Sequence, residues 1–283
     1  MSEGQAPDGV FEIAALTEVG TEREHNEDFC GTLPGGAAPG VIVVADGVSG
    51  SEGGETASRM AVESTLRSFT EQGEGIAAAK RLARAVQTAN IEVYELALTV
   101  PELSGMATTL TAVTLDRGAL SVVHVGDSRL YLLREGTLTQ LTKDHTVAAE
   151  QVRLGVLSEA RARKHPGRSV LTRSLGRELI VSLDRISLSA RQGDSLLLCS
   201  DGLYNVLGDE EIASLLRLPV SARDACRALI DAANARGTFD NVTAAVARVR
   251  GDLPAPREPA GFRALLRKQR WLDWFVNRRA RGE

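Results

Sequence analysis

Cysteine is scarce. Cys30, Cys199 and Cys226 are the three in 283 residues, and none stands at the C-x-x-C spacing of a metal or redox pair. They are read as reduced and mostly buried, as in a cytoplasmic protein. Aromatic residues make up 4% of the chain, and both tryptophans, Trp271 and Trp274, fall near its end. Long hydrophobic runs are missing: Val41 to Ala45 is typical, far short of the roughly 20 apolar residues that cross a bilayer. The opening MSEGQAPDGV is acidic and polar, with no apolar signal core. Positive charge is not in excess, the net formal charge being -4, which argues against a basic face for nucleic-acid phosphates. There is no internal repeat and no low-complexity tract. What remains is ordinary globular composition, 43% hydrophobic and 25% charged, enough for one large domain or two small ones.

Short β-rich runs separated by turn residues predict strands over Phe11 to Leu16, Val41 to Ala45, Thr108 to Leu115, Leu120 to Val125, Leu130 to Leu133, Thr137 to Leu141, Ser195 to Cys199 and Val242 to Val249. The continuous apolar run at Val41 to Ala45 suits a strand buried on both faces. Asp116-Arg117-Gly118 and Glu135-Gly136 read as hairpin connections. Ala- and Leu-rich helices are predicted over Glu55 to Phe69 and Gly75 to Leu98, with others over Val147 to Leu154, Asp209 to Leu216 and Ser221 to Ala235. Ser221 followed by Asp224 resembles a capping box with Asp in place of Glu. Strands, two long helices and then hairpins form a segregated order, which favours an α+β fold with antiparallel sheets over a doubly wound one.

One chemical pattern recurs. An apolar strand ends in an aspartate followed by a small or amide residue: Asp46-Gly47, Asp127-Ser128 and Asp201-Gly202, with Asp240-Asn241 just before the strand at Val242. Each Asp-Gly alone is well explained as a turn. Four acids set against core strands are another matter, because buried carboxylates are unfavourable unless paired, and no matching set of basic residues stands beside them. Hard cations such as Mg²⁺ or Mn²⁺, which prefer oxygen ligands, would satisfy them, and the Gly47 carbonyl is a further candidate ligand. The Gly-rich stretch Asp46 to Glu55 is a poor nucleotide-phosphate cradle: it opens on an acid, and its glycines do not give G-x-G-x-x-G.

At these residues the sequence resembles the metal-dependent protein phosphatase 2C family in its compact bacterial form, from about Phe11 to Val249. Glu18-Val19-Gly20 with Arg23-Glu24-His25-Asn26-Glu27-Asp28 resembles the family's G-x-x-R-x-x-N-E-D element. Asp46-Gly47 with Gly50, Gly54-Glu55 and Ala57-Ser58 resembles D-G-M-G-G-H-x-x-G-E-x-A-S, and Gly105 to Leu110 resembles G-M-G-T-T-L. Gly126-Asp127-Ser128-Arg129, Asp144-His145, Ser200-Asp201-Gly202-Leu203 and Asp240-Asn241-Val242-Thr243 follow in the family's order.

The resemblance implies two antiparallel sheets in a sandwich flanked by helices, with a two-metal centre (Mn²⁺ or Mg²⁺) at one end. It implies a protein serine/threonine phosphatase that hydrolyses phosphoserine and phosphothreonine by attack of a metal-activated water, in the cytoplasm, as a monomer, opposing a serine/threonine kinase. Asp46 would bridge both metals, with Gly47 supplying its carbonyl and Asp201 and Asp240 completing the site. Asp127 together with Asp201 would hold a third, weaker metal. Glu27 and Asp28 would orient waters, and Arg23 would grip the substrate phosphate through a planar guanidinium.

Two departures lie close to the chemistry. Ser51 stands where the family carries the histidine proposed to protonate the leaving oxygen, and a serine hydroxyl is a much poorer acid. His25 is a substitute by sequence proximity only. Ala107 replaces a glycine expected within a strand. The alternatives are therefore a phosphatase-like regulatory or binding protein of weak or no activity, or a phosphatase dedicated to an anti-sigma-antagonist protein. Val147 to Arg168 corresponds to the family's mobile flap, although a solvated helical face explains its charges equally well. The catalytic domain is expected over residues 1–250 and a Pro-rich linker over 251–260. A basic, aromatic and helical tail over 261–283 would suit an anionic membrane surface, a docking partner, or packing on its own domain.

Overall fold

The computed structural model describes residues 10–36, 38–48, 53–73, 75–251 and 253. Ser51 and nearly all of the expected linker and tail therefore lie outside the described residues. In one sheet, β1 (Phe11–Glu18) pairs with β10 (Val242–Val249), β10 with β9 (Ser195–Cys199), β9 with β6 (Arg129–Arg134), and β6 with β7 (Thr137–Gln140). The other sheet runs β2 (Asp28–Leu33), β3 (Gly40–Asp46), β4 (Leu110–Asp116), β5 (Ala119–Val125), β8 (Asp184–Ser189). Every pairing is antiparallel.

Alternation along the strands builds the layers. Val41, Val43 and Ala45 of β3 face Ala57, Val62, Phe69, Leu82 and Val86 on α1 (Gly54–Glu71) and α2 (Ala78–Thr99). Ile42 and Val44 face the other way, toward Leu196 and Leu198 of β9 and Ala245 and Ala247 of β10, which fill the space between the sheets. On the far side, Leu197, Cys199, Ala244 and Val246 pack under α6 (Asp209–Leu216) and α7 (Ala222–Ala235), which follow the single turn α5 (Asp201–Tyr204). The result is helix, sheet, sheet, helix. It accounts for the unbroken apolar run of β3, whose residues Val41 to Ala45 are all at 0% exposure.

The expected turns form. Arg117 and Gly118 (φ 45 and 82) and Glu135 and Gly136 (φ 51 and 80) are two-residue loops with both residues in the left-handed region, the twist that closes antiparallel hairpins. Ser221 caps α7: its Oγ accepts from the Asp224 amide at 3.1 Å, and its hydroxyl donates to the Asp224 carboxylate at 2.6 Å. Cys199 and Cys226 are buried and Cys30 is half-buried, all of them free thiols. Burial pushes Cys30 and Cys226 up to about 12, so neither offers a thiolate nucleophile.

Some expectations need correction. Two strands, β2 and β8, were not foreseen. β2 opens on Asp28 and carries Gly31 in its middle, where a Cβ would sit 2.7 Å from the Leu66 side chain of α1. β8 does carry a period-two signal, with Ile186 and Leu188 turned to the core, but the polar residues between them mask it. β4 starts at Leu110, so Ala107 precedes the strand rather than lying in it. Among the described residues no helix is long and apolar enough to cross a membrane.

Candidate metal centre

Strand direction gathers the acids. β3 and β5 both run antiparallel to β4, so their C-terminal ends share one edge of the sheet, bringing Asp46 and Asp127 to it. In the other sheet the start of β10 meets the end of β9, Ala244 opposite Cys199, which sets Asp240 beside Asp201. Asp28 opens β2 directly opposite Asp46. Its Oδ2 accepts from the Ser200 hydroxyl at 2.6 Å and the Thr243 hydroxyl at 2.7 Å, tying the two sheets together at this end.

Backbone around each acid is tightly held. The Asp46 amide donates to Thr109 Oγ1 at 3.0 Å, and its carbonyl accepts from the Thr109 amide at 2.8 Å and the Thr108 hydroxyl at 2.9 Å. The Gly47 amide donates to the Glu27 carbonyl at 3.0 Å, and a Cβ at Gly47 would lie 2.3 Å from the Gly54 carbonyl oxygen. Only glycine permits that approach of chain to chain. Glu27 itself is fixed through its amide, which donates to Asn241 Oδ1 at 2.7 Å. Asn241 also donates to the carbonyls of Val19 and His25, so one buried amide side chain moors the whole loop carrying Arg23, Glu27 and Asp28. Arg23 Nη2 lies 3.0 Å from Asp240 Oδ2, a half-exposed pair at the mouth.

The carboxylates repel one another. Burial is the first cause that pushes Asp46 well above the usual range, followed by the charges of Asp28, Asp201, Asp127 and Asp240. Burial and then neighbouring acids likewise push Asp127 to about 8. Asp28 rises to about 7, burial outweighing its two hydroxyl donors, with Asp201 and Asp240 adding to it. Asp201 rises to about 6, by burial and then Asp240. Raised acids of this kind are what a multivalent cation relieves. The donor set is all oxygen, which suits Mg²⁺ or Mn²⁺ rather than a softer metal. Among the described residues no three ligating side chains are already closed into a coordination shell. The fit therefore rests on the shared edge, the oxygen chemistry and the mutual repulsion. On those grounds Asp46, Gly47, Asp127, Asp201 and Asp240 fit such ions.

The structure brings every expected site residue to this end, and adds residues that sequence reasoning missed. Ser200, Thr243 and Asn241 stood in the matching motifs without a role, and are now the anchors of Asp28 and Glu27. Thr108 and Thr109 hold the Asp46 backbone. Arg129, from the same motif as Asp127, pairs with both Asp144 oxygens at 2.6 and 3.0 Å and stacks over Tyr204 at 3.6 Å, while its charge partly offsets those of Asp127 and Asp201. The Tyr204 hydroxyl donates to the Asp127 carbonyl at 3.1 Å. The expected flap contains α3 (Val147–Arg153), capped by the Thr146 hydroxyl, and one turn of helix, α4 (Glu159–Ala162). Glu150 pairs there with Arg153 and Arg173.

The arrangement has counterparts. The serine/threonine phosphatase stp of Listeria welshimeri is 35% identical over 230 residues, 80% of this chain and 91% of that protein. The crystal structure of the Mycobacterium tuberculosis serine/threonine phosphatase PstP/Ppp superposes with a TM-score of 0.76 at 36% identity, covering 85% of this chain and 99% of that one. A crystal structure of the PstP catalytic domain in complex with two manganese ions has a TM-score of 0.74 at 35% identity, covering 85% of this chain and 99% of that one. Residues 20–242 match the family described as protein phosphatase 2C, a span that starts at the glycine before Arg23 and reaches the strand after Asp240. With the sandwich, the acid edge and the order of motifs all in agreement, the chain belongs to the protein phosphatase 2C family.

Proposed function

We propose that this chain is a protein serine/threonine phosphatase that uses two Mn²⁺ or Mg²⁺ ions held by Asp46, Gly47, Asp201 and Asp240, with a third, weaker ion at Asp127 and Asp201. One observation carries the reading: acids from four separate stretches meet at one end of the sandwich, where burial and the neighbouring carboxylates raise Asp46 and Asp201 above the usual carboxylate range. Bound cations of this class lower the pKa of a shared water and neutralise charge on the transferring phosphoryl group.

The chain's own residues do the rest. Arg23 stands at the mouth with a guanidinium able to make two charge-assisted hydrogen bonds to a phosphate. Asp28, locked by Ser200 and Thr243, presents a fixed acceptor next to Asp46, suited to orienting the attacking water in line with the leaving serine or threonine oxygen. Glu27 lies against the start of α1, where a Cβ at Gly54 would meet Glu27 Oε1 at 2.5 Å. Phosphorylated proteins and a serine/threonine kinase acting on the same sites are the partners this chemistry implies.

The test is direct. Purified protein releases phosphate from a phosphothreonine peptide with Mn²⁺, loses at least about 100-fold of that rate in chelator, and regains it when Mn²⁺ is restored. Ser51 in the family's histidine position favours one second reading, a binding protein of little activity. No release at excess Mn²⁺ would select it.

A further inference from the structure

The turn that presents Asp127 has an unusual anchor. Gly126 sits at φ +105, and a Cβ there would lie 2.5 Å from the Thr109 side chain, so only glycine fits. Its peptide groups are held from both sides by one residue, His145. The His145 amide donates to the Gly126 carbonyl at 2.8 Å, and the Gly126 amide donates to His145 Nδ1 at 3.0 Å. For Nδ1 to accept, the ring proton must sit on Nε2, which faces Asp184 Oδ2 at 3.3 Å. Burial, and then the Arg173 charge, lower the His145 pKa, the direction that favours an accepting Nδ1. The ring is 2% exposed and lies 4.8 Å from that of His124.

We infer that His145 is a positioning residue for Asp127: its Nδ1 fixes the Gly126 amide, sets the direction of the Asp127 carboxylate, and so tunes the affinity of the cation held there. The inference rests on the proposed cation site at Asp127. Among the described residues the Gly126 amide has no other hydrogen-bond partner; the carbonyl of Gly126 is held by the His145 amide and that of Asp127 by the Tyr204 hydroxyl. Asp127 is itself 7% exposed, with little room for its side chain to recover if the turn shifts.

Two near-isosteric variants separate this role from general packing. In His145→Asn the amide oxygen takes the place of Nδ1 and still accepts from Gly126. In His145→Gln the polar end takes the place of Nε2 and leaves the Gly126 amide without its acceptor. Mn²⁺ titration calorimetry of the full chain, with melting curves to verify folding, reads the affinity of the weakest site. The expected result is a loss of roughly tenfold or more in His145→Gln and a change of no more than about threefold in His145→Asn. Asp127→Asn is the control and removes the weakest site. Equal behaviour of the two histidine variants, with the control still losing that site, overturns the positioning role alone. A control that binds Mn²⁺ like the unaltered protein overturns the Asp127 site and the inference with it. Should His145→Gln not fold, hydrogen exchange in the unaltered protein decides: filling the weakest site with Mg²⁺ slows exchange of the Gly126 amide about tenfold, by reciprocal linkage, and unchanged exchange contradicts the inference.

Discussion

Asp46→Asn lowers manganese-dependent phosphate release by on the order of 10³-fold or more, and at the same time raises the melting temperature of the protein in chelator. Both effects have one cause. Asp46 is the acid whose charge is opposed by all the others, Asp28, Asp201, Asp127 and Asp240. An amide keeps its shape and its backbone hydrogen bonds with the Thr108 and Thr109 segment, but it would hold cations far less well than a carboxylate and does not repel its neighbours. The sign with pH follows from linkage. A carboxyl whose pKa is raised on folding binds its proton more tightly in the native state, so its contribution to stability is full below about pH 4 and is lost as pH rises through the folded value. With Asp201 raised to about 6, Asp28 to about 7 and Asp127 to about 8, that loss spreads across neutral pH. The gain in melting temperature from Asp46→Asn is therefore small at pH 5 and larger at pH 8. A variant that melts lower than the unaltered protein in chelator at pH 8 would make Asp46 a structural anchor instead.

Arg23→Ala lowers kcat/KM for a phosphothreonine peptide by about 10²-fold or more, the loss of two charge-assisted hydrogen bonds at roughly 1.5–3 kcal/mol each. Arg23→Lys restores only part of it, because an ammonium cannot reproduce the planar fork. The geometry adds a second readout. Arg23 lies 3.0 Å from Asp240, a proposed cation ligand, so the guanidinium and a metal compete for the same carboxylate. In Arg23→Ala, Mn²⁺ affinity holds or rises while peptide turnover falls. Loss of Mn²⁺ affinity with an unchanged KM would instead make Arg23 a mere support for Asp240, the surface ion pair that its 38% exposure would otherwise suggest.

Much of this frame was legible residue by residue. The apolar run of β3, the two glycine-bearing hairpins and the Ser221 cap are local signals, and local signals survive into the fold. The acids were legible as a repeated strand-end motif, because antiparallel order around β4 and around the β9–β10 pair makes strand ends coincide. The anchors were not. Ser200 reaches Asp28 across 172 residues of chain, Thr243 reaches it across 215, and Asn241 reaches Glu27 across 214. A hydroxyl or an amide carries no sequence signal of which distant carboxylate or backbone group it will meet. β2 was hidden for a related reason: Asp28 and Gly31 spoil its β pattern, yet the first serves the acid edge and the second admits α1. His145 was visible only as half of an Asp-His pair, with nothing to indicate that its ring holds Gly126.

The account turns on four acids sharing cations at one edge of the sandwich. Anomalous diffraction at the manganese edge, from crystals grown with Mn²⁺, locates those ions without reference to activity. The expected map has two peaks about 3.5–4 Å apart, both against Asp46, with Asp201 and Asp240 turned onto one of them. Peaks remote from Asp46, or none at millimolar Mn²⁺, contradict it.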